Sequence, residues 1–365
     1  MTKLFKKLLS IKNILKLFNR KLCVILASHF SPKNRIINIL FNWCKKNSHD
    51  SLFFMNYEDK KKLIKFFNEE FKIKKNILYK DFEEIQVDNN MHSVLNDLNN
   101  QGISEKIKYE ISNEEAKNFV NDLKVSDYYD SHVPYLSNKK NFKISPDGAY
   151  KSYDYETQLN NPTLLKICTD EKIIKIANNY LGSIPKIYSI NTFTTLPGKK
   201  AFTHDFHRDI DNLKWLVVFI YWTGTSRDDG AYEQIKYTHK PSDKLNELLN
   251  TDNKIFSNNF DNFFKKTVPG YGKNENYRKL FNSEIINVSG EPGKMVMCDT
   301  LGLHRGTNVQ NVRNVTWIRY GVMSSRQKIS KSKETLSDPI KLNKNSMDII
   351  NNSKFKHVLS DIVSI

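Results

Sequence analysis

The first structural signal in the chain is a helical repeat of apolar residues close to its start. Between Lys3 and Phe18, apolar residues recur every three or four positions and lysines fill the opposite face. This spacing predicts an amphipathic helix. A lysine-rich polar face is typical of a helix at a membrane surface, whereas packing of the apolar face against the protein's own body is the second interpretation. The pattern leaves both open.

Further helices are predicted before the middle of the chain. Residues 51–92 are charged and helical in pattern, and Gly102 ends a helix. Ser112 and Glu115 form a capping box that opens the next helix. A helical period then runs over residues 164–180 and stops at Gly182.

After Gly182 the pattern changes to short strands. The segments rich in β-branched, aromatic or continuous apolar residues are Ile187–Thr195, Trp215–Thr223, two halves of residues 284–300 and a segment that begins at Arg313. Turn residues separate them, among them Gly290 and Gly293. Several short strands with few intervening helices predict an antiparallel sandwich or barrel.

A polar insertion rich in phenylalanine and tyrosine covers residues 240–283, and we expect it to form a lid over an active site. The chain therefore divides into a basic helical extension at residues 1–92, a β domain at residues 93–328 and a basic tail at residues 329–365. A length of 365 residues is sufficient for this organisation.

Positive charge is concentrated at the start of the chain. The formal net charge is +17, and Asp50 is the sole acidic residue among the first fifty. Such a region attracts nucleic acid, anionic lipid or acidic ligands, or it is a solvated basic face without a partner. The basic residues lie mostly outside the β domain and no nucleic-acid recognition motif accompanies them, so no specific nucleic acid is expected as a partner.

The four cysteines are widely spaced and form no CxxC pair, which favours a reducing cytoplasm. The longest early apolar run, Leu22–Ala27, is too short to span a bilayer. We expect a cytoplasmic protein, with peripheral membrane contact through residues 3–18 as the open alternative.

Candidate chemistry lies just before and within the strand region. His207 and Asp209 are two positions apart, so in an extended segment both side chains point the same way. His304 follows a β segment in a glycine-flanked loop, and Arg313 stands nine residues further on. A His-x-Asp/Glu motif arises about once by chance in a chain of this composition, so the motif carries little by itself. Two histidines and one carboxylate are, however, the ligands of the facial triad of non-haem Fe(II) oxygenases.

The order of these segments resembles the phytanoyl-CoA dioxygenase-like family of Fe(II)/2-oxoglutarate oxygenases. The resemblance rests on "FHRDIDN", on "LKWLVVFIYWT" with the following "DDGAYEQIKYTH", and on "GKMVMCDTLGLHRGTNVQNVR". It covers about residues 94–325. It implies a mainly β fold with flanking helices (α+β), built on a double-stranded β-helix, or jelly-roll, core.

The resemblance also implies a set of site residues. His207, Asp209 and His304 would bind Fe(II), and Arg313 would pair with the distal carboxylate of the cosubstrate 2-oxoglutarate. Asn191 would contact the cosubstrate. His204 either lines the cosubstrate pocket or is a surface histidine.

The implied reaction is hydroxylation of a substrate C–H bond, with release of succinate and CO2. Halogenating relatives lack the carboxylate that Asp209 provides, which favours hydroxylation. The primary substrate is expected to be a small molecule or a compound of lipid or sugar type, and the net charge points to an anionic group on it. The sequence leaves its identity and the oligomeric state open.

Two other functions compete with hydroxylation. A cupin-type sugar-modifying enzyme could use the same metal ligands, but the spacing of Arg313 speaks against it. A non-catalytic scaffold could act through its basic N-terminus, but the intact ligand set speaks against that.

Arg208 and Arg305 either attract an anionic substrate or form ion pairs with Asp205 or Asp299. His239 is expected to stabilise its loop.

Overall fold

The computed structural model describes residues 3–52, 54–74, 83–128, 149–199, 202–250, 260–267, 274–323 and 340–363. The strands are β1 (Ile103–Ser104), β2 (Tyr150–Ser152), β3 (Lys186–Thr195), β4 (Trp215–Tyr221), β5 (Tyr232–Ile235), β6 (Ile285–Val288), β7 (Met295–Cys298), β8 (His304–Gly306) and β9 (Arg313–Gly321).

The α-helices of the described ranges are α1 (Lys3–His29), α2 (Arg35–Leu52), α3 (Tyr57–Lys74), α4 (Asn89–Gln101), α5 (Asn113–Val125), α6 (Tyr155–Leu159), α7 (Pro162–Cys168), α8 (Glu171–Leu181), α9 (Asp243–Asn250), α10 (Phe260–Thr267), α11 (Asn274–Phe281) and α12 (Lys344–Asn352). None of them is both long and apolar enough to cross a membrane.

Two antiparallel sheets form the centre of the molecule. The large sheet has the order β1-β7-β4-β9-β3-β2, and the small sheet has the order β6-β5-β8. The segment around His207 pairs with His304 at the free edge of β8, so it adds a fourth segment to the small sheet. Four central strands of the large sheet thus stand beside four segments of the small one, which is the jelly-roll arrangement and confirms the predicted α+β class and core.

The two faces of the large sheet are buried against different partners. Alternate residues of β4 point to opposite faces, and both sets are apolar. Leu216, Val218 and Ile220 pack into a core shared with the helices. Val217 and Tyr221 pack into a second core shared with the small sheet. This explains why β4 is a continuous apolar run instead of an alternating one.

The helix predicted over residues 164–180 is wrong in one respect, because it is two helices. α7 ends at Cys168, and Asp170 caps α8 by accepting a hydrogen bond from the backbone N–H of Ile173. The side chain of Asp170 offers the backbone a new helix start, which overrides the continuous apolar period. The predicted stop at Gly182 is confirmed, with φ of 69°.

Of the region predicted to be helical over residues 51–92, residues 57–74 form α3, and residues 75–82 lie outside the described ranges. Two other predicted helix signals are confirmed. α4 ends where Gly102 adopts φ of 82°. Ser112 and Glu115 form the reciprocal capping box at the start of α5. The tail contributes α12 and a short 3-10 helix whose Val358 and Leu359 are buried in the helical core.

The described helices of the insertion form a layer beside the small sheet. Leu245, Phe263 and Tyr277 are buried in the same core as Ile235 of β5. Arg278 of α11 reaches Glu233 of β5, with 3.1 Å between Nη2 and Oε2. The lid function stays a prediction, and residues 251–259 and 268–273 of the insertion lie outside the described ranges.

Candidate metal centre

Two backbone segments that are distant in sequence hold the candidate metal ligands together. The N–H of His207 donates to the carbonyl of His304 at 2.9 Å, and the N–H of His304 donates to the carbonyl of His207 at 3.0 Å. The N–H of Asp209 donates to the carbonyl of Thr300 at 3.0 Å. One ligand atom from each of His207, Asp209 and His304 lies within 4.8 Å of the other two.

Hydrogen bonds orient both imidazole rings. Nδ1 of His207 lies 2.8 Å from the carbonyl of Asp205, and Nδ1 of His304 lies 3.0 Å from the carbonyl of Gly302. A carbonyl can only accept, so Nδ1 of each ring donates this hydrogen bond and Nε2 is the nitrogen left for a metal. Nε2 of His304 lies 3.7 Å from Oδ2 of Asp209. This donor set and its orientation fit a divalent transition metal.

The protonation states agree with that fit. Burial, with His207 close by, lowers the pKa of His304 to about 4, so its imidazole is neutral at pH 7. Burial raises the pKa of Asp209, but the positive charge of Arg319 is the strongest opposing effect, and that pKa is held at about 2. The site therefore presents a neutral imidazole at His304 and an ionised carboxylate at Asp209.

Arg319 of β9 is a residue of the site that sequence reasoning missed. Its Nη2 lies 3.0 Å from Oδ2 of Asp209, and its Nη1 pairs with Asp211. Its guanidinium stands 4.1 Å from the ring centroid of Trp317. Arg319 therefore fixes the orientation of the Asp209 carboxylate and supplies the positive charge that keeps it ionised.

A row of side chains on the inner face of the large sheet runs away from the triad. Asn191 stands opposite Trp317, and Thr195 stands opposite Arg313, in the register of β3 and β9. Arg313 is buried and its Nη2 donates to Oγ1 of Thr195 at 3.1 Å. Nε of Arg313 and Oδ1 of Asn191 have no hydrogen-bond partner among the described residues. These two buried polar atoms fit a polar ligand that lies along this face.

Glycines leave space for the guanidinium of Arg313. A Cβ at Gly230, whose φ is 74°, would lie 3.0 Å from Cδ of Arg313 and 2.5 Å from Cγ1 of Val309. A Cβ at Gly306 would lie 3.8 Å from Nη2 of Arg313. The backbone at Gly230 thus has a left-handed conformation and lies close to the side chains of Val309 and Arg313. Glycine suits both, because it has no Cβ.

The structure places His204 away from the protein surface. It lies in a short 3-10 helix, is 4% exposed, and its Nε2 is 3.3 Å from the hydroxyl of Tyr150. The surface-histidine alternative is therefore wrong. His204 is not part of the metal-ligand cluster.

The remaining basic candidates have structural partners. Arg208 donates to the carbonyl of Thr238 at 2.6 Å and to Oγ1 of Thr267 at 2.7 Å, which ties the insertion to the barrel. Arg305 pairs with Glu233 at 2.7 Å, so its partner is neither of the acids considered from the sequence. The alternation along β8 turns Arg305 away from the face that carries His304.

His239 is deeply buried beside the start of β1. A Cβ at Gly102 would lie 2.6 Å from its Nδ1. Burial lowers the pKa of His239 to about 3. It is outside the metal-ligand cluster.

No protein-family model matches the chain, and no curated protein matches it. Solved structures with a similar fold include AviO1 from Streptomyces viridochromogenes Tue57, at 11% identity over 65% of this chain and 96% of that one, with a TM-score of 0.39. HygX from Streptomyces hygroscopicus, with nickel and 2-oxoglutarate bound, is 12% identical over 63% of this chain and 86% of that one, with a TM-score of 0.39. The non-heme alpha-ketoglutarate-dependent carbocyclase SnoK from nogalamycin biosynthesis is 12% identical over 66% of this chain and 85% of that one, with a TM-score of 0.39. At these identities and scores the likeness assigns no reaction to this chain.

Proposed function

We propose that the protein is an Fe(II)- and 2-oxoglutarate-dependent dioxygenase that hydroxylates a C–H bond of a small-molecule substrate. The observation that carries this proposal is the cluster of His207, Asp209 and His304, with ligand atoms within 4.8 Å of one another. Both imidazoles are oriented through Nδ1, and the carboxylate is held by Arg319. A cluster of exposed acidic groups would show neither feature.

His207, Asp209 and His304 would each supply one ligand atom to hold Fe(II). Bound Fe(II) with 2-oxoglutarate supplies the oxidation: one atom of dioxygen enters the substrate C–H bond and the other enters succinate, with release of CO2. The protein's own contribution is to orient the reactants and exclude water.

Arg313 and Asn191 would bind 2-oxoglutarate. The planar guanidinium of Arg313 matches a carboxylate, and its buried position strengthens that pairing by lowering the local dielectric. Thr195 already accepts a hydrogen bond from Arg313 and so restricts its rotation. The unpaired Oδ1 of Asn191 implies that the side chain amide meets a ligand or water on this face.

Aromatic rings would shield the reacting centre from water. Phe219 stands opposite Trp317 between β4 and β9, and Tyr232 stacks on His304 with ring centroids 5.6 Å apart. Phe219 and Tyr232 are themselves 4.9 Å apart. Phe219 and Trp317 are half-buried although they point into the barrel, so they line its open part.

The substrate is proposed to be a small molecule of lipid or sugar type that carries an anionic group. Its partly apolar character follows from the aromatic wall, and its charge from the net charge of +17. Hydroxylation is preferred to halogenation because Asp209 occupies the position that a halide would need.

The proposal is tested by anaerobic titration of the protein with Fe(II) and 2-oxoglutarate, followed by the weak visible charge-transfer band of the chelate. We expect the band in wild type, its loss in Asp209→Ala and weaker 2-oxoglutarate binding in Arg313→Ala. Arg227→Ala, an exposed arginine in the turn after β4, is the matched control and should retain the band. Folded wild-type protein that shows no band and binds no 2-oxoglutarate would overturn the proposal.

A further inference from the structure

A cavity of about 300 Å³ lies between α3 and the end of the barrel, apart from the triad. Its lining includes none of His207, Asp209, His304 or Arg313. Its charged lining residues are Lys60, Lys61, Lys65, Lys214, Lys240 and Asp299. Five ammonium groups therefore share a space with one carboxylate.

The local hydrogen bonds do not balance this charge. Lys61 pairs with Glu58 at 2.9 Å. Asp299 already accepts from the hydroxyl of Tyr180 and from the N–H of Leu301 at 2.9 Å. Lys214 is directed at the carbonyl and the ring of Tyr180.

Lys60 is the most deeply placed of these lysines. It is 5% exposed, and its Nζ stands 5.7 Å from the ring centroid of Phe264. Burial lowers the pKa of Lys60 to about 8, and it does the same for Lys214. An anion in the cavity would stabilise both ammonium ions and reverse that effect.

We propose that this cavity binds a phosphate-type oxyanion. Lysine ammonium groups act as compact point charges suited to phosphate, and here several converge on a partly enclosed space. The space also has an apolar side, from Ile64, Leu213 and Trp215, which suits a phosphate carried on an organic group. The site does not depend on the proposed oxygenase function.

The test is thermal unfolding in inorganic phosphate compared with chloride at equal ionic strength and pH 7. We expect the melting temperature of wild type to rise with phosphate concentration, because a ligand that binds the folded state stabilises it. Lys60→Gln and Lys214→Gln should each need a phosphate concentration about tenfold higher, or more, to reach the same rise in melting temperature. Lys124→Gln, an exposed lysine on α5, should retain it.

Lys60→Gln also removes a charge that burial disfavours, so its melting temperature without phosphate should not fall below that of wild type. A folded variant that still responds to phosphate as wild type does would overturn the proposal. A wild-type response to citrate without one to phosphate would overturn the assignment to phosphate.

A different surface, the hairpin of α1 and α2, exposes apolar side chains. The large exposed ones are Ile14, Leu15, Leu17, Phe18, Ile25, Phe30, Ile36, Ile39, Leu40 and Trp43. Ile36 is 68% exposed and Trp43 is 58% exposed. The predicted amphipathic helix is therefore present, but the described part of its apolar face, from Ile14 onward, is not fully covered by the protein's own body.

The exposed residues of α2 form one stripe. Ile36, Ile39, Leu40 and Trp43 follow the i, i+3, i+4, i+7 spacing that puts them on one side of the helix. The opposite side carries Phe41 and Cys44, which are fully buried. α2 thus has two apolar faces, and the body of the protein covers one of them.

Charge indicates what covers the other face. No acidic residue occurs in residues 1–49. Arg35 and Lys46 are exposed and lie at the two ends of the stripe of α2, and Lys21 is exposed on α1. Two copies of so basic a surface would repel each other, whereas anionic headgroups would attract it.

We infer that the hairpin docks on an anionic membrane surface. Its apolar stripe would enter the boundary between headgroups and acyl chains, with Trp43 at the interface. Lys and Arg at the ends of the stripe can extend to the phosphates while their stems cover apolar surface. This inference, too, is independent of the oxygenase function.

The test is co-sedimentation of the full chain with vesicles of phosphatidylcholine, with or without about a third of phosphatidylglycerol, at low and high salt. We expect binding to the anionic vesicles that weakens at high salt. The triple variant Ile36→Ser, Ile39→Ser, Trp43→Ser should reduce partitioning at least about a hundredfold. Val125→Ser, which changes an exposed valine of α5, should bind as wild type does.

Sedimentation velocity of the same proteins tests whether a second copy of the chain covers this face instead. A wild-type dimer that the triple variant dissociates, together with no vesicle binding, would make the hairpin a contact between two copies and overturn the inference. Binding that is equal on neutral and anionic vesicles would remove the role assigned to charge.

Discussion

The barrel interior and the N-terminal hairpin place their side chains in opposite ways. In the barrel, charged side chains lie largely inside and pair with specific partners, as Asp209 pairs with Arg319 and Glu233 pairs with Arg305. In the hairpin, apolar groups such as Ile36 are exposed beside unbalanced positive charge. A site that depends on single atoms is sensitive to one substitution, whereas a surface that depends on summed area and charge is not.

The largest effect is expected at the centre of the barrel. Asp209→Ala removes a proposed metal ligand and leaves Arg319 without its carboxylate. Fe(II) affinity should fall by more than about 100-fold, the upper range for outer-shell substitutions, and succinate release should be lost. Fe(II) titration with a folding check by circular dichroism measures this. Retained succinate release would contradict the assignment of Asp209.

Arg319→Met should have the next largest effect. The variant keeps much of the side-chain volume but removes the charge that orients Asp209, so Fe(II) affinity should fall by about 10- to 100-fold. The matched control is Arg305→Met, whose partner Glu233 lies on the other face of the small sheet. Equal losses in the two variants would mean that Arg319 acts through general stability alone.

Gly230→Ala tests the space beside Arg313. Its Cβ would meet Val309 and Arg313, and alanine at positive φ costs about 1–2 kcal/mol. We expect a raised KM for 2-oxoglutarate with a smaller change in kcat, together with a lower melting temperature. Gly198→Ala is the control, because its φ is also positive but nothing lies within 4 Å of its Cβ. An unchanged KM for 2-oxoglutarate in Gly230→Ala would contradict the assignment of Arg313 to cosubstrate binding.

His239 makes the stability of the metal-free protein depend on pH. Its pKa of about 3 in the folded state lies below the ordinary value of 6.5, so between these values the unfolded chain binds a proton that the folded chain does not. Stability should therefore fall as the pH falls from 6.5, by up to about 1.4 kcal/mol per pH unit. In His239→Gln that slope should decrease by the same amount, as measured by urea unfolding. His92→Gln, an exposed histidine on α4, should keep the wild-type slope.

The smallest effect is expected in the hairpin. Trp43→Ser changes one exposed side chain, so the free energy of unfolding in the absence of membrane should change by no more than about 0.5 kcal/mol. Succinate release should remain at the wild-type rate. A loss of stability comparable to that of Gly230→Ala would mean that the protein body covers this face, and the contrast with the barrel would disappear.

Local signals in the sequence predicted most of the fold. The apolar run of β4, the capping box at Ser112 and the glycine stops at Gly102 and Gly182 each depend on neighbouring residues, and all are confirmed. The division between α7 and α8 was missed because Asp170 interrupts an otherwise continuous apolar period. A capping residue inside a helical pattern was the available signal.

The metal-ligand cluster was predicted, but its supporting residues were not. Arg319 stands six positions after Arg313, so the alternation of a strand puts both on one face, and this signal could have been used. The pairing of Arg305 with Glu233 could not have been predicted in this way, because it depends on the register between β5 and β8. β5 and β8 are far apart in sequence and no short turn joins them, so no turn type fixes which residues face each other.

The paired backbones of His207 and His304 make metal binding at this site depend on complete folding. The two histidines belong to chain segments that meet only when the barrel has closed, so an unfolded chain offers no preformed site. A metal that binds the closed barrel alone adds its binding free energy to the stability of the whole domain. Under the proposed function, iron supply would then set the lifetime of the protein as well as its activity, because chains without iron would open more often and would be more exposed to proteases.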